Sequence, residues 1–302
     1  MTGIITSLAE ISDRYDVLFC DIWGCVHDGR QVFPAAARAL QAFRQNGARG
    51  GKGGKVVLVT NSPRPKPAVV DQLDGLGLSR DSWDEIVTSG DAAQFGLVTG
   101  AVGRRVYHIG ADKDETFFTH LAPDLAEIAA GQKAIERVAL KEAEGIVCTG
   151  LRDDLNESPD DYRTELLLAK QFGLRMLCAN PDIVVDHGGQ RLWCAGALAQ
   201  LYEEMGGHVL YFGKPHPPIY DLARRRLMAF DLGRQPEILC IGDGIGTDVQ
   251  GAMGEGLDIL FITSGIDREA FGTDSARPDP ARLRDWLVEH QLSPLYAMGH
   301  LA

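Results

Sequence analysis

Short apolar runs recur along this chain, and segments with helical spacing separate them. That alternation is the feature that most constrains the fold, because a run buried on both faces and followed by a helix is the unit of a parallel α/β sheet. The runs read as strands are DVLFCD ending at Asp21, VVLVTN ending at Asn61, EIVTSG ending at Gly90, RRVYHIG, EGIVCTG, LRMLCANPD, HVLYFGKP, EILCIGDG and DILFITSG. Helical patterns are predicted over Pro34–Gln45, Pro67–Leu76, Tyr162–Phe172, Ala195–Met205, Ile219–Phe230 and Pro280–His290, with proline opening three of them. At 302 residues the chain is long for one domain and comfortable for two. The expected organisation is a Rossmann-like parallel-sheet core, residues 1–90 and 207–302, with a second α/β module inserted at 91–206.

Charge and cysteine use narrow the function class. A formal charge of -12 lacks the positive field that nucleic acid or an anionic membrane requires. No apolar stretch reaches membrane-spanning length, and MTGIITSLAEISDRYD has no basic, apolar leader pattern. The cysteines, Cys20, Cys25, Cys148, Cys178, Cys194 and Cys240, are scattered and mostly end apolar runs, which predicts buried reduced thiols and a cytoplasmic location. The glycine-rich GARGGKGGK at Gly47–Lys55 lacks the Ser or Thr and the spacing of a P-loop, so a turn is expected there. A homo-oligomer is compatible with this composition.

Polar residues closing apolar strands carry the chemistry. Asp21 closes VLFCD, Thr60 and Asn61 close VVLVTN, and Asp243 follows ILCIG. In open parallel sheets ligands gather beyond the carboxyl ends of the strands. Two carboxylates there repel each other unless a cation lies between them, and oxygen-only donors suit Mg2+. Lys214, in FGKP, offers a compensating point charge. Thr60 and Asn61 offer a hydroxyl and an amide for phosphate oxygens.

Taken in order, DIWGCVHDG, VTNSPRP, GKP and IGDGIGTD resemble the four motifs of the haloacid dehalogenase superfamily. The insert between the second and third, with CANPDIVVD and CAGALAQLYEE, is similar to the type 2 cap of the NagD and nitrophenylphosphatase-like subclass IIA. The resemblance implies that Asp21 attacks phosphorus and forms an aspartyl-phosphate that water releases. It implies a metal held by Asp21, the Trp23 carbonyl and Asp243, with Asp248 as a second acidic partner, and a cap that selects a small phosphorylated substrate through Asn180, Asp182, Cys194 and Gly196. A plain turn at Asn180-Pro181-Asp182 reads equally well.

Family phosphatases carry a second Asp two residues after the nucleophile, as general acid and base. This chain has Trp23 there, whose indole N–H only donates. Three explanations stand side by side. His27, Asp28 or His216 substitutes; the substrate has a good leaving group; or the protein binds phosphorylated ligands without turnover. Bland roles are a solvated loop for His27, a turn for His216 and pocket packing for Trp23. Metal-free dehalogenase chemistry conflicts with Asp243 and Asp248, and a dinucleotide site conflicts with the spacing of GDGIGTD.

Overall fold

The structure, a computed structural model, describes residues 2–187, 190–274 and 276–302. The chain divides into two compact units: Met1–Thr60, Gln72–Ile86 and Tyr220–Ala302 form the first, Asn61–Asp71 and Val87–Ile219 the second.

The first unit is built on a sheet with strand order Gly3–Ile4, Tyr296–Met298, Asp258–Ile262, Ile238–Gly242, Val17–Cys20, Lys55–Thr60, Glu85–Thr88. Ile238–Gly242 pairs in parallel with both Val17–Cys20 and Asp258–Ile262, and Val17–Cys20 with Lys55–Thr60. Val17, Leu18, Phe19 and Cys20 are all buried, which is why this run shows no polar alternation. Lys55–Thr60 and Glu85–Thr88 lie on one side of Val17–Cys20, and the late strands, edged by Gly3–Ile4, lie on the other. The order reverses between Val17–Cys20 and Ile238–Gly242, and a reversal of this kind opens a crevice at the strand ends.

One local detail differs from the sequence reading. The helix beginning at Pro34 ends as α-helix at Ala42 and continues as a wider π turn, Phe43–Gly47. The glycine-rich segment after it is a tight return, with Ala48 bridged to Lys52. A Cβ on Gly54 would fall 2.2 Å from the Phe43 ring. The glycine there allows backbone to lie against a buried aromatic.

The second unit carries a sheet ordered His208–Tyr211, Arg175–Cys178, Gly145–Cys148, Arg105–Ile109, Glu136–Arg137, parallel throughout. Val184–His187 and Gln190–Trp193 form a separate antiparallel pair. The strand His208–Tyr211 was expected in the core segment that begins at 207; it hydrogen-bonds to Arg175–Cys178 inside this second sheet. Tyr162, Leu166, Met176, Leu198 and Tyr202 pack as one apolar cluster. Helix Arg163–Gln171 turns Leu166 and Ala169 toward it, the stripe its sequence spacing predicts. Among the described residues no helix is long and apolar enough to cross a membrane.

Candidate active site

In the first unit, Asp21 and Asp243 leave adjacent parallel strands in register, where Cys20 faces Ile241 and the Asp21 N–H donates to the Ile241 carbonyl at 2.8 Å. Both side chains are buried. Asp21, Cys25 and Asp243 each bring one ligand atom within 4.8 Å of the other two. Two carboxylates this close, away from bulk water, are costly to ionise together without a cation.

The backbone around Asp243 is shaped for it. A Cβ on Gly24 would lie 2.2 Å from Asp243 Oδ2, and one on Gly265 would lie 1.8 Å from the same oxygen. Gly24 also sits at φ +78°, which a side chain would strain. The Ile266 N–H donates to that oxygen at 3.2 Å. Bare backbone on two sides thus leaves the carboxylate a narrow cradle. Burial, then the charges of Asp243 and Asp21, push the Cys25 thiol up. The two carboxylates offer oxygen donors, which fit a hard divalent ion such as Mg2+.

Asp248 lies outside that trio. Its Oδ2 accepts from the Gly244 N–H at 3.1 Å and the Thr247 hydroxyl at 3.4 Å, bracing the loop that carries Asp243. Thr60 ends its strand buried. His27, for which a solvated loop and a substitute acid both stood open, is 1% exposed. Its Nδ1 accepts from the Gly29 N–H at 2.9 Å, which leaves the ring proton on Nε2. The Trp23 and His27 rings meet edge to face at 5.0 Å.

In the second unit, Asn61, Asn180, Asp182 and Lys214 come together. The Asn61 amide donates to Asp182 Oδ1 at 2.8 Å and to the Lys214 carbonyl at 3.0 Å, while its oxygen accepts from the Lys214 N–H at 2.7 Å. Both amide protons are therefore spent on protein. Asn180 Oδ1 accepts from the Asp182 N–H at 3.0 Å, an Asx turn that Pro181 stiffens, so the turn reading of Asn180-Pro181-Asp182 is structurally sound. Gly196 packs under that turn, and a Cβ on it would meet the Pro181 carbonyl at 2.1 Å. Burial, then the charge of Asp182, push the Cys194 thiol up, with the Asn180 side chain working the other way. His216 stacks on Tyr211 at 4.6 Å, and burial holds its imidazole below the usual range, against the pull of Glu203.

Sequence reading missed the part played by Cys25, Gly24 and Gly265. Cys25 stands four residues after Asp21, and a tight turn at Gly24 returns it to that carboxylate. The saturation of Asn61 also escaped, since a strand-end amide reads as a ligand donor until its partners are known.

A model of haloacid dehalogenase-like hydrolases matches residues 18–122, and a HAD-hydrolase-like model matches residues 211–286. A solved haloacid dehalogenase-like hydrolase from Brucella suis 1330 is 39% identical, with 99% of this chain and 100% of that chain covered and a TM-score of 0.81. A D-glycerol 3-phosphate phosphatase of Mycobacterium tuberculosis is 26% identical over 290 residues, 96% of this chain and 73% of the relative. A glycerol phosphate phosphatase from the same organism, solved in complex with magnesium, is 26% identical, with 89% of this chain and 74% of that chain covered and a TM-score of 0.60. With strands, motif order and matched sequence in agreement over nearly its whole length, the chain belongs to the haloacid dehalogenase superfamily of hydrolases.

Proposed function

We propose that this protein is a Mg2+-dependent phosphatase of a small phosphorylated metabolite, working through an aspartyl-phosphate on Asp21. The observation that carries the reading is the buried pair Asp21 and Asp243 on neighbouring strand ends, cradled by Gly24 and Gly265. The magnesium-bound glycerol phosphate phosphatase, a relative by sequence, supports it.

Asp21, Asp243 and the Trp23 carbonyl would hold the ion, which when bound offsets charge on the transferring phosphoryl group. Asp21 supplies the attacking oxygen: its bond to phosphorus forms as the bond to the leaving oxygen breaks. Water then cleaves the aspartyl-phosphate and regenerates Asp21. Lys214 neutralises phosphate charge, and the Thr60 hydroxyl donates to a phosphate oxygen. Asn61, with its amide protons committed, aligns Lys214 instead of binding phosphate. Asp248 acts by bracing the Asp243 loop. Residues 91–206 are the insert that selects the substrate, with the Asn180–Asp182 turn as its reading edge.

Trp23 cannot deliver a proton to the leaving group. His27 supports a substitute role, since its ring is buried against Trp23 and carries its proton on Nε2. The same substitution favours a second reading, a protein that binds phosphorylated ligands with little turnover. Phosphate release from a panel of phosphorylated metabolites, with and without Mg2+, tests the first reading. Metal-dependent binding across the panel with no covalent species on Asp21 would establish the second.

A further inference from the structure

The proposed phosphatase chemistry uses two members of the trio at the strand ends and leaves the third unused. Cys25 is 1% exposed, and its sulfur lies within 4.8 Å of a carboxylate oxygen of Asp21 and one of Asp243. Other thiols of the chain donate to acceptors: Cys20 to the Asp21 carbonyl, Cys178 to the Asn180 carbonyl and Cys148 to the Gly150 carbonyl. Cys25 makes no such bond among the described residues. A buried thiol without a hydrogen-bond acceptor, aimed at two carboxylates, is a donor set of mixed softness. Mg2+ ignores sulfur, whereas Zn2+ and Cd2+ prefer it. Three protein donors with a fourth position left to water is an ordinary zinc arrangement.

We propose that Asp21, Cys25 and Asp243 form a thiophilic coordination set, through which Zn2+ or Cd2+ binds by one sulfur and two carboxylate oxygens, competes with Mg2+ and withholds Asp21 from phosphoryl transfer. The inference rests on the same two carboxylates as the proposed magnesium site, and adds the thiol. On binding, a metal–sulfur bond forms, the S–H bond breaks and the proton leaves to solvent; nothing is oxidised or reduced. The set makes the protein sensitive to thiophilic metals at a position where a hydroxyl or methyl side chain would leave it indifferent.

The test uses the full-length protein, freed of metal and loaded with one equivalent of Zn2+ or Cd2+. X-ray absorption at the zinc edge should show one sulfur scatterer at about 2.3 Å among oxygens. Cd2+ should give a cadmium–thiolate charge-transfer band that saturates at one equivalent. In Cys25→Ser the band should vanish, and the Zn2+ Kd should weaken by more than the roughly 10–100-fold that loss of an outer partner costs. An oxygen-and-nitrogen shell around zinc in the wild type overturns the proposal, as does an undiminished band in the folded Ser variant. Should that variant fail to fold, Cys25→Ala and the wild-type absorption spectrum still decide. Mg2+-dependent phosphate release is measured separately. Its absence would sink the phosphatase reading and leave the sulfur scatterer standing; an all-oxygen zinc shell beside normal turnover would do the reverse.

Discussion

Asn61 and Lys214 are joined twice across 153 positions: the Lys214 N–H donates to Asn61 Oδ1 at 2.7 Å, and the Asn61 amide returns a bond to the Lys214 carbonyl at 3.0 Å. A third bond ties the same amide to Asp182. Asn61→Ala therefore strips partners from buried groups, each worth about 1–3 kcal/mol when left unsatisfied. The expected outcome is a lowered Tm and a kcat/KM reduced by up to about 10²-fold through misplacement of Lys214. Asn61→Asp keeps an acceptor for the Lys214 N–H but sets a second carboxylate against Asp182, and should not restore activity. Steady-state kinetics beside thermal denaturation separates this from a phosphate-binding role, which would weaken inhibition by inorganic phosphate while leaving Tm unchanged.

Asp21→Asn should abolish phosphate release while the protein stays folded, because an amide is a poor nucleophile of nearly the same shape. A chelator should silence the wild type, and added Mg2+ should revive it. Full turnover by the folded variant would remove Asp21 from the reaction.

Without an acid at Trp23, leaving-group departure depends on the substrate. Nitrophenyl or acyl phosphates should be cleaved much faster than alkyl phosphates, and the phosphorylated protein should accumulate during turnover. Trp23→Asp should raise alkyl phosphate turnover by at most about 10²–10⁴-fold. The lost indole costs roughly 3–5 kcal/mol if nothing refills its place, so folding is checked by circular dichroism first. A wild type that is blind to the leaving group, together with a folded variant that gains nothing, would assign the proton to His27.

In the second unit, His108 Nε2 lies 2.9 Å from the Thr149 hydroxyl, which donates onward to Asp114 Oδ2 at 2.8 Å. Burial first, and then the charge of Arg137, lower the His108 pKa to about 4 from 6.5. The unfolded chain thus binds a proton that the folded one refuses between those values. Stability should fall as pH drops through 6.5 toward 4. Asp114, raised by burial, works in the opposite sense: its contribution is full below 3.8 and lost as pH rises through its raised value. His108→Gln keeps a donor for Thr149 and cannot titrate. The difference in Tm between wild type and this variant should shift steadily against the wild type from pH 7 to pH 4.5; a constant difference would contradict the burial argument.

The strands that hold the first unit together were legible because burial on both faces writes itself as unbroken apolar runs. Val17–Cys20 and Ile238–Gly242 end where the sequence turns polar, so Asp21 and Asp243 could be read off as strand-end carboxylates. Strands as short as Gly3–Ile4 and Glu136–Arg137 carry too few residues for a period to show. His208–Tyr211 reads as a strand, but which sheet it joins depends on a partner, Arg175–Cys178, that no local pattern names. The same limit explains His27 and Asn61. Residue type announces a donor or acceptor, while burial and partners, both set by distant chain, decide whether it is left for a ligand.

The strand order that sets Ile238–Gly242 beside Val17–Cys20 also sets a schedule. A ribosome delivers Asp21 early and Asp243 only after most of the chain has followed. At about 5–20 residues per second the interval is on the order of ten seconds or more. Through that time the nascent chain holds Asp21 without its neighbour. The paired carboxylates therefore arrive late, only once the two strands that carry them have met, so a chain cut short before Asp243 lacks half of the proposed metal site.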